Sequence, residues 1–558
     1  MLLLSLLASL MAGEPPPEDP ALLAAKAEID RAMAALSDEE EPPYHLSVGI
    51  VDTRSRRIVS THGALATSRD DRYRVADVDV RVGSPELDNT HKIRDASWFS
   101  EELREQVRLP LDGDPAVTQQ LLWKALDERY QGAVRRLSKV KGNESVKVER
   151  EDASPDFSPA EAVVDVAYPT YAPIDLAAWE ALTREVSRVF LEHPDVLDSH
   201  VELVAEEQLL MFASSEGHLI QHPRVRYRVS IYATTVAEDG MQLDVYDYVD
   251  AASMEGLPGQ EELVQRAEAA AERLSMLRHA PLLEPYTGPA LLEGRAAGVF
   301  FHEVFGHRME GHRQKDEDEG QTFTDMVGEP ILPPFLDVVD DPTLQVYAGV
   351  DLNGSYPYDD EGVPAQRVQL VDDGVLQGFL TSRMPIESVP LSNGHGRRQP
   401  GNAVVARQGN LVVEASETVS YEELRAQLLE QVQEQGKPYG LVVEDITGGF
   451  TLTGRVVPNS FNVRPVAVWK VYPDGRPDEL VRGGDLIGTP LTAFSNILAA
   501  GDDPQVFNGM CGAESGWVPV SAVSPSLLVR EVEIQRKEKS NDRPPLLPAP
   551  DLDEGGDS

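Results

Sequence analysis

Two histidines and a glutamate fall within six residues of an apolar run, Phe300-Phe301-His302-Glu303-Val304-Phe305-Gly306-His307. Neutral imidazole is a common zinc ligand, and a carboxylate beside a metal can take a proton from bound water. These residue types, this close together, point to metal-dependent hydrolysis.

The spacing restricts how they can act. In the familiar H-E-x-x-H signature the histidines stand at i and i+4, about 40° apart on an ideal helix. Here the second is at i+5, about 140° away at roughly 100° per residue. A regular helix cannot aim both rings at one ion, so a π-bulge or a local unwinding must close the gap. Gly306, just before His307, is the residue best able to permit it. The bland alternative is a buried helix end whose histidines are satisfied by backbone carbonyls.

The rest of the chain must position these groups. Its 558 residues suffice for about two to four domains. Hydrophobic residues at 41% and charged residues at 26% describe an ordinary globular protein. A net charge of −44 argues against nucleic acid and anionic membranes as partners. A single cysteine rules out an internal disulfide. Cys511 sits in what reads as a glycine-flanked loop, Asn508-Gly509-Met510-Cys511-Gly512, as a small hydrophobe, a reactive thiol or a metal ligand.

The apolar run Met1 to Ala12 is too short to span a bilayer and fits the core of an export signal, so residues 1–20 are expected to direct export to the periplasm or the exterior. A positive start and a clean cleavage site are missing, which leaves a cytoplasmic chain with a buried first helix as the alternative. No other segment reads as transmembrane. Strands are expected over 45–51 and 58–62, joined by a turn at Asp52-Thr53-Arg54-Ser55, and over 201–205, 209–213 and 225–234, with a hairpin turn at Ser214-Ser215-Glu216-Gly217. Helical spacing marks 116–140, 177–191 and 261–277. Adjacent strands favour an α+β fold, with a mixed α/β layer domain over 21–283. Short strands between glycine, proline and aspartate predict a β-rich domain over 284–535 that carries the histidine motif, with helices near 420–434 and 490–500. The proline-rich tail 536–558 is expected to be disordered.

An ordered set of motifs in the second domain resembles the TldD/PmbA metallopeptidase family, the modulators of DNA gyrase. Gly288-Pro289-Ala290-Leu291-Leu292 leads into Ala297-Gly298-Val299-Phe300-Phe301-His302-Glu303 and Gly306-His307-Arg308-Met309-Glu310-Gly311. Asp359-Asp360-Glu361-Gly362-Val363-Pro364-Ala365-Gln366 and Gly394-His395-Gly396-Arg397-Arg398 follow, then Gly509-Met510-Cys511-Gly512 and Val518-Pro519-Val520. The resemblance covers about 250 residues well and the first half only in coarse pattern.

It implies the TldD-like catalytic branch, with His302, His307 and Cys511 as zinc ligands and Glu303 as general base. Three protein ligands and an open position are the form of a catalytic zinc site. It also implies an extended or unfolded peptide as substrate, and a dimer of identical chains or with a metal-free PmbA-like relative. His312 departs from the pattern, standing where an acidic residue is typical, and reads as a surface group, a substitute ligand or a substrate contact. Arg397 and Arg398 are candidates for binding substrate or an oxyanion, against the simpler reading of a structural salt bridge. Two other classes remain open at this stage: a non-hydrolytic peptide-binding or assembly protein with a structural zinc, and an enzyme using Cys511 as nucleophile.

Overall fold

The computed structural model describes residues 18–93, 106–144, 152–169, 171–316, 318–453, 460–537, 543–545 and 547. The expected signal segment, but for its last three residues, and most of the expected tail lie outside them. No described helix is long and apolar enough to cross a membrane.

The fold class is α+β. In the N-terminal half, helix α1 (Pro20–Ala35) begins at Asp19, whose carboxylate accepts from the Ala21 N–H and so caps the first turn. Strands β1 (Pro43–Thr61) and β2 (Ala64–Ser84) form a long hairpin turned at His62 and Gly63, both with positive φ. Helices α2 (Pro115–Glu144) and α3 (Leu176–Arg188) precede strands β3 (Asp198–Ser214), β4 (Leu219–Val236) and β5 (Gln242–Ala251), and α4 (Gln260–His279) closes the half. The antiparallel sheet runs β2-β1-β3-β4-β5. Alternation puts Val201, Leu203, Ala205, Leu209, Met211 and Ala213 on the face that the helices cover.

Two expectations fail here for one reason. Asp52 to Ser55 form no turn but lie inside β1, paired on both sides. Likewise 201–205 and 209–213 are one strand. Charged residues that read as breaks are satisfied across the sheet: Arg72 and Arg74 donate to Asp52, Arg54 to Asp70, and Arg56 to Glu207 at 2.8 Å. The hairpin turn at Ser214 to Gly217 is present, between β3 and β4.

The C-terminal half is β-rich. Strand β6 (Tyr286–Leu292) leads directly into helix α5 (Gly294–Val304). Next come β7 (Leu336–Asp340), β8 (Val368–Asp372), β9 (Asn410–Ala415) and helix α6 (Tyr421–Glu434). Strands β10 (Gly440–Leu452), β11 (Ser460–Val471) and β12 (Gly484–Gly488) precede a last run of β13 (Gln505–Ala513), β14 (Gly516–Ser524) and β15 (Leu527–Arg536). The pairings β10-β6-β15-β12-β11 return to β10 and close a ring. A second sheet runs β8-β7-β9-β14-β13. The helix expected over 490–500 stops at Ser495, capped by Asn496, and Ile497–Ala500 pairs with β15 instead.

Helix α5 lies between the ring and the second sheet, packed on β10 and β14, which explains why every residue of it but Arg295 is buried. Gly298 lets it approach β14 closely: a β-carbon there would stand 3.1 Å from Ala522 O. Phe300, Phe301 and Phe305 pack with Phe461 and Phe494 in the largest core cluster. The motif helix is thereby fixed on every side.

Candidate metal centre

Helix α5 ends at Val304, and Gly306–Met309 forms a 3₁₀ turn. The gap between His302 and His307 is therefore closed by unwinding, not by a π-bulge. Gly306 permits this through lack of bulk rather than a positive φ, because a β-carbon on it would collide with the Gln408 side chain. The two rings face each other with centroids 5.1 Å apart and planes at 72°.

Cys511 meets them from the second sheet. The expected loop around it is a strand, with Cys511 on β13 paired to Val518; the flanking glycines accommodate the side chains of Phe507 and Trp517 rather than a bend. His302 Nε2 lies 3.3 Å and His307 Nε2 3.5 Å from Cys511 Sγ. The three candidate ligand atoms lie within 4.8 Å of one another, and all three residues are buried. Zinc bonded tetrahedrally to nitrogen and sulfur would set N···S separations of about 3.5 Å, so the donor set and its spacing fit that ion. Glu303 Oε2 is 3.9 Å from His307 Nε2, and Glu303 packs against Gly449 of β10.

Charged groups support this cluster. His307 Nδ1 bonds Glu310 Oε2 at 3.1 Å, and Arg313 Nε donates to the same oxygen at 2.9 Å. A carboxylate on the far nitrogen fixes ring orientation and leaves Nε2 facing the sulfur. Burial opposes the thiolate, but His307, His302 and Arg407 together hold the Cys511 thiol well below its ordinary value. Burial likewise opposes charge on His307, yet Cys511 and Glu310 raise its pKa well above that of free imidazole. The Glu310 carboxyl, despite complete burial, is held below the usual range by His307 and Arg313.

The other sequence candidates fall elsewhere. The His312 ring pairs with Glu514 in the β13–β14 turn, and Arg313 Nη2 also donates to Glu514 at 2.9 Å. Arg397 is buried, donates to Gln408 O at 2.6 Å and lies over the Tyr356 ring. Arg398 stands 3.7 Å from Asp77 of β2, across the boundary between the halves. Each arginine thus has an intramolecular partner in this structure. Glu310, Arg313, Arg407 and Gln408, which surround the three ligand residues, were not singled out by the sequence alone. Glu310 lay within the quoted motif and could have been found as a carboxylate three residues after His307; Arg407 carries no local signal.

The chain is similar to several known proteins. Residues 285–536 match the PmbA/TldA metallopeptidase C-terminal domain. A metalloprotease of Methanothermobacter thermautotrophicus is 28% identical over 346 residues, covering 61% of this chain and 70% of that protein. A metalloprotease TldD homologue of Haemophilus influenzae is 29% identical over 250 residues, 44% of this chain and 48% of its own length. Two solved structures share the fold. A Thermotoga maritima protein described as a candidate modulator of a DNA gyrase gives a TM-score of 0.59 at 16% identity, over 91% of this chain and 99% of that one. TldE from Thermococcus kodakarensis gives 0.58 at 13% identity, over 92% and 100%. The C-terminal half is a metallopeptidase domain, and its class is that of a hydrolase. The chain carries a PmbA/TldA metallopeptidase domain and is similar over part of its length to metalloproteases of the TldD type.

Proposed function

We propose that this chain is a zinc-dependent peptidase of the TldD-like branch, acting on extended or unfolded peptides. The observation that carries the reading is the convergence of His302 Nε2 from helix α5, His307 Nε2 from the 3₁₀ turn after it and Cys511 Sγ from strand β13 onto one buried point. His302, His307 and Cys511 would hold a zinc ion there, which would supply Lewis acidity for hydrolysis. Glu303, beside His307, takes the proton of the attacking water and returns it to the leaving amine. Glu310 keeps the His307 ring aimed. Strand β13 is the outer strand of its sheet, a setting in which an extended peptide can pair by main-chain hydrogen bonds whatever its side chains. A dimer, with a second copy or with a metal-free relative of the TldE type, belongs to the same proposal.

Glu303→Gln tests the assignment of the base. It should keep the bound metal and lose peptide turnover by roughly 10²- to 10⁴-fold; full turnover in that variant would remove Glu303 from the mechanism. The 3.3 Å contact between His302 and Cys511 is also what a thiol nucleophile needs. Chelation separates the two readings, since a thiol enzyme keeps its activity without metal.

A further inference from the structure

Arg407 is among the largest fully buried side chains, and it reaches the candidate metal centre from behind. Its Nη2 donates to Cys511 Sγ at 3.0 Å and to Cys511 O at 2.8 Å. Its Nη1 donates to Ser515 Oγ at 2.8 Å and to Gly516 O at 3.0 Å, across the β13–β14 turn. Its Nε stands 3.3 Å from Glu310 Oε1, and the other oxygen of Glu310 holds His307. One buried cation thus touches the sulfur directly and the second imidazole through a single carboxylate.

A guanidinium this deep requires partners, and Glu310 with the turn carbonyl already supplies them. The bond to sulfur goes beyond that need. A thiolate that accepts an N–H gives up less electron density to a bound cation, so the cation remains a stronger Lewis acid. The same fork holds both the sulfur and the carbonyl of Cys511, which fixes where the sulfur points.

We propose that Arg407 is a positioning residue for Cys511: it aims the sulfur at the point shared with His302 and His307, and it withdraws charge from the sulfur. This rests on the metal reading above. The role differs from that of Glu310, which orients a ring and touches no sulfur.

The test uses the purified full-length protein, stripped of metal and reloaded with Co²⁺ alone. Cobalt bound to a thiolate gives a near-ultraviolet charge-transfer band whose energy follows the electron density on sulfur. Wild type should show the band, Arg407→Met should shift it to longer wavelength, and Arg407→Lys should shift it less. Peptide turnover per bound ion should fall in both, on the order of 10- to 100-fold. If Arg407→Met does not fold, the lysine variant carries the measurement. Arg383→Gln is the control for loss of a buried arginine remote from the sulfur, since Arg383 bonds Glu216 and Ser158 O, and its band should match wild type. Bands unmoved in the Arg407 variants, or moved equally in Arg383→Gln, overturn the proposal while leaving the metal site standing. A wild type with no charge-transfer band overturns the metal reading and this inference together.

Discussion

Gly306 and Gln408 are so close that a β-carbon on the glycine would stand 1.8 Å from Gln408 Oε1. Gln408 is fully buried, and its amide faces the carbonyl of His302. The glutamine therefore occupies the space into which a longer α5 would grow, and the chain turns into the 3₁₀ segment that carries His307. Gly306→Ala should cost about 1–3 kcal/mol of stability through overpacking and should weaken metal binding by displacing His307. Thermal denaturation and metal titration check this; a variant as stable and as metal-tight as wild type would show that the contact does not set the turn.

Glu310 holds the far nitrogen of His307 and is fully buried. Glu310→Ala should leave the imidazole free to rotate and lower metal affinity roughly 10- to 100-fold. Competition with a chelator of known affinity measures it. An unchanged dissociation constant would mean that backbone geometry alone aims the ring.

Arg397 is bound to Gln408 O and stacked on Tyr356, not directed at the three ligand atoms. Arg397→Ala should cost on the order of 2 kcal/mol, the usual scale for a charged hydrogen bond. Where the variant remains folded, its KM should be that of wild type. A raised KM with unchanged stability would return this arginine to the substrate-binding role that the sequence first suggested.

The halves are joined by Arg383, whose guanidinium donates to both oxygens of Glu216 in the β3–β4 turn at 2.5 and 2.8 Å. Burial works against the ionised Glu216, but Arg383 and His45 hold its pKa below the usual carboxylate value. A carboxyl depressed in the folded state contributes stability above its unfolded pKa of about 4.3 and loses that contribution as pH falls toward the folded value. Wild type should therefore exceed Glu216→Gln in stability at neutral pH, with the gap narrowing below about pH 4. Denaturant titrations at several pH values decide it; a gap independent of pH would mean that the ion pair is not the source.

The sequence showed the chemistry more clearly than the path of the chain. The two histidines, Glu303 and Cys511 are reactive types in an unusual setting, and the requirement that a π-bulge or a local unwinding reconcile the i+5 spacing followed from helix geometry alone. Strand continuity was hidden because Asp52, Arg54 and Glu207 read locally as breaks, while their partners lie on neighbouring strands far away in sequence. Arg407 was hidden for the same reason: it is 104 residues from Cys511, and only the second sheet brings the two together. His312, which stands where the resemblance leads one to expect an acidic residue, has its ring against Glu514 in the structure.

The central claim is that His302, His307 and Cys511 hold one zinc ion on which hydrolysis depends. The most direct measurement is zinc content by elemental mass spectrometry in wild type, His302→Ala and Cys511→Ser, with peptide hydrolysis assayed on the same samples. About one zinc per wild-type chain is expected, with zinc and hydrolysis lost together in both variants. Full zinc in Cys511→Ser, or hydrolysis by a wild-type protein free of metal, would contradict it.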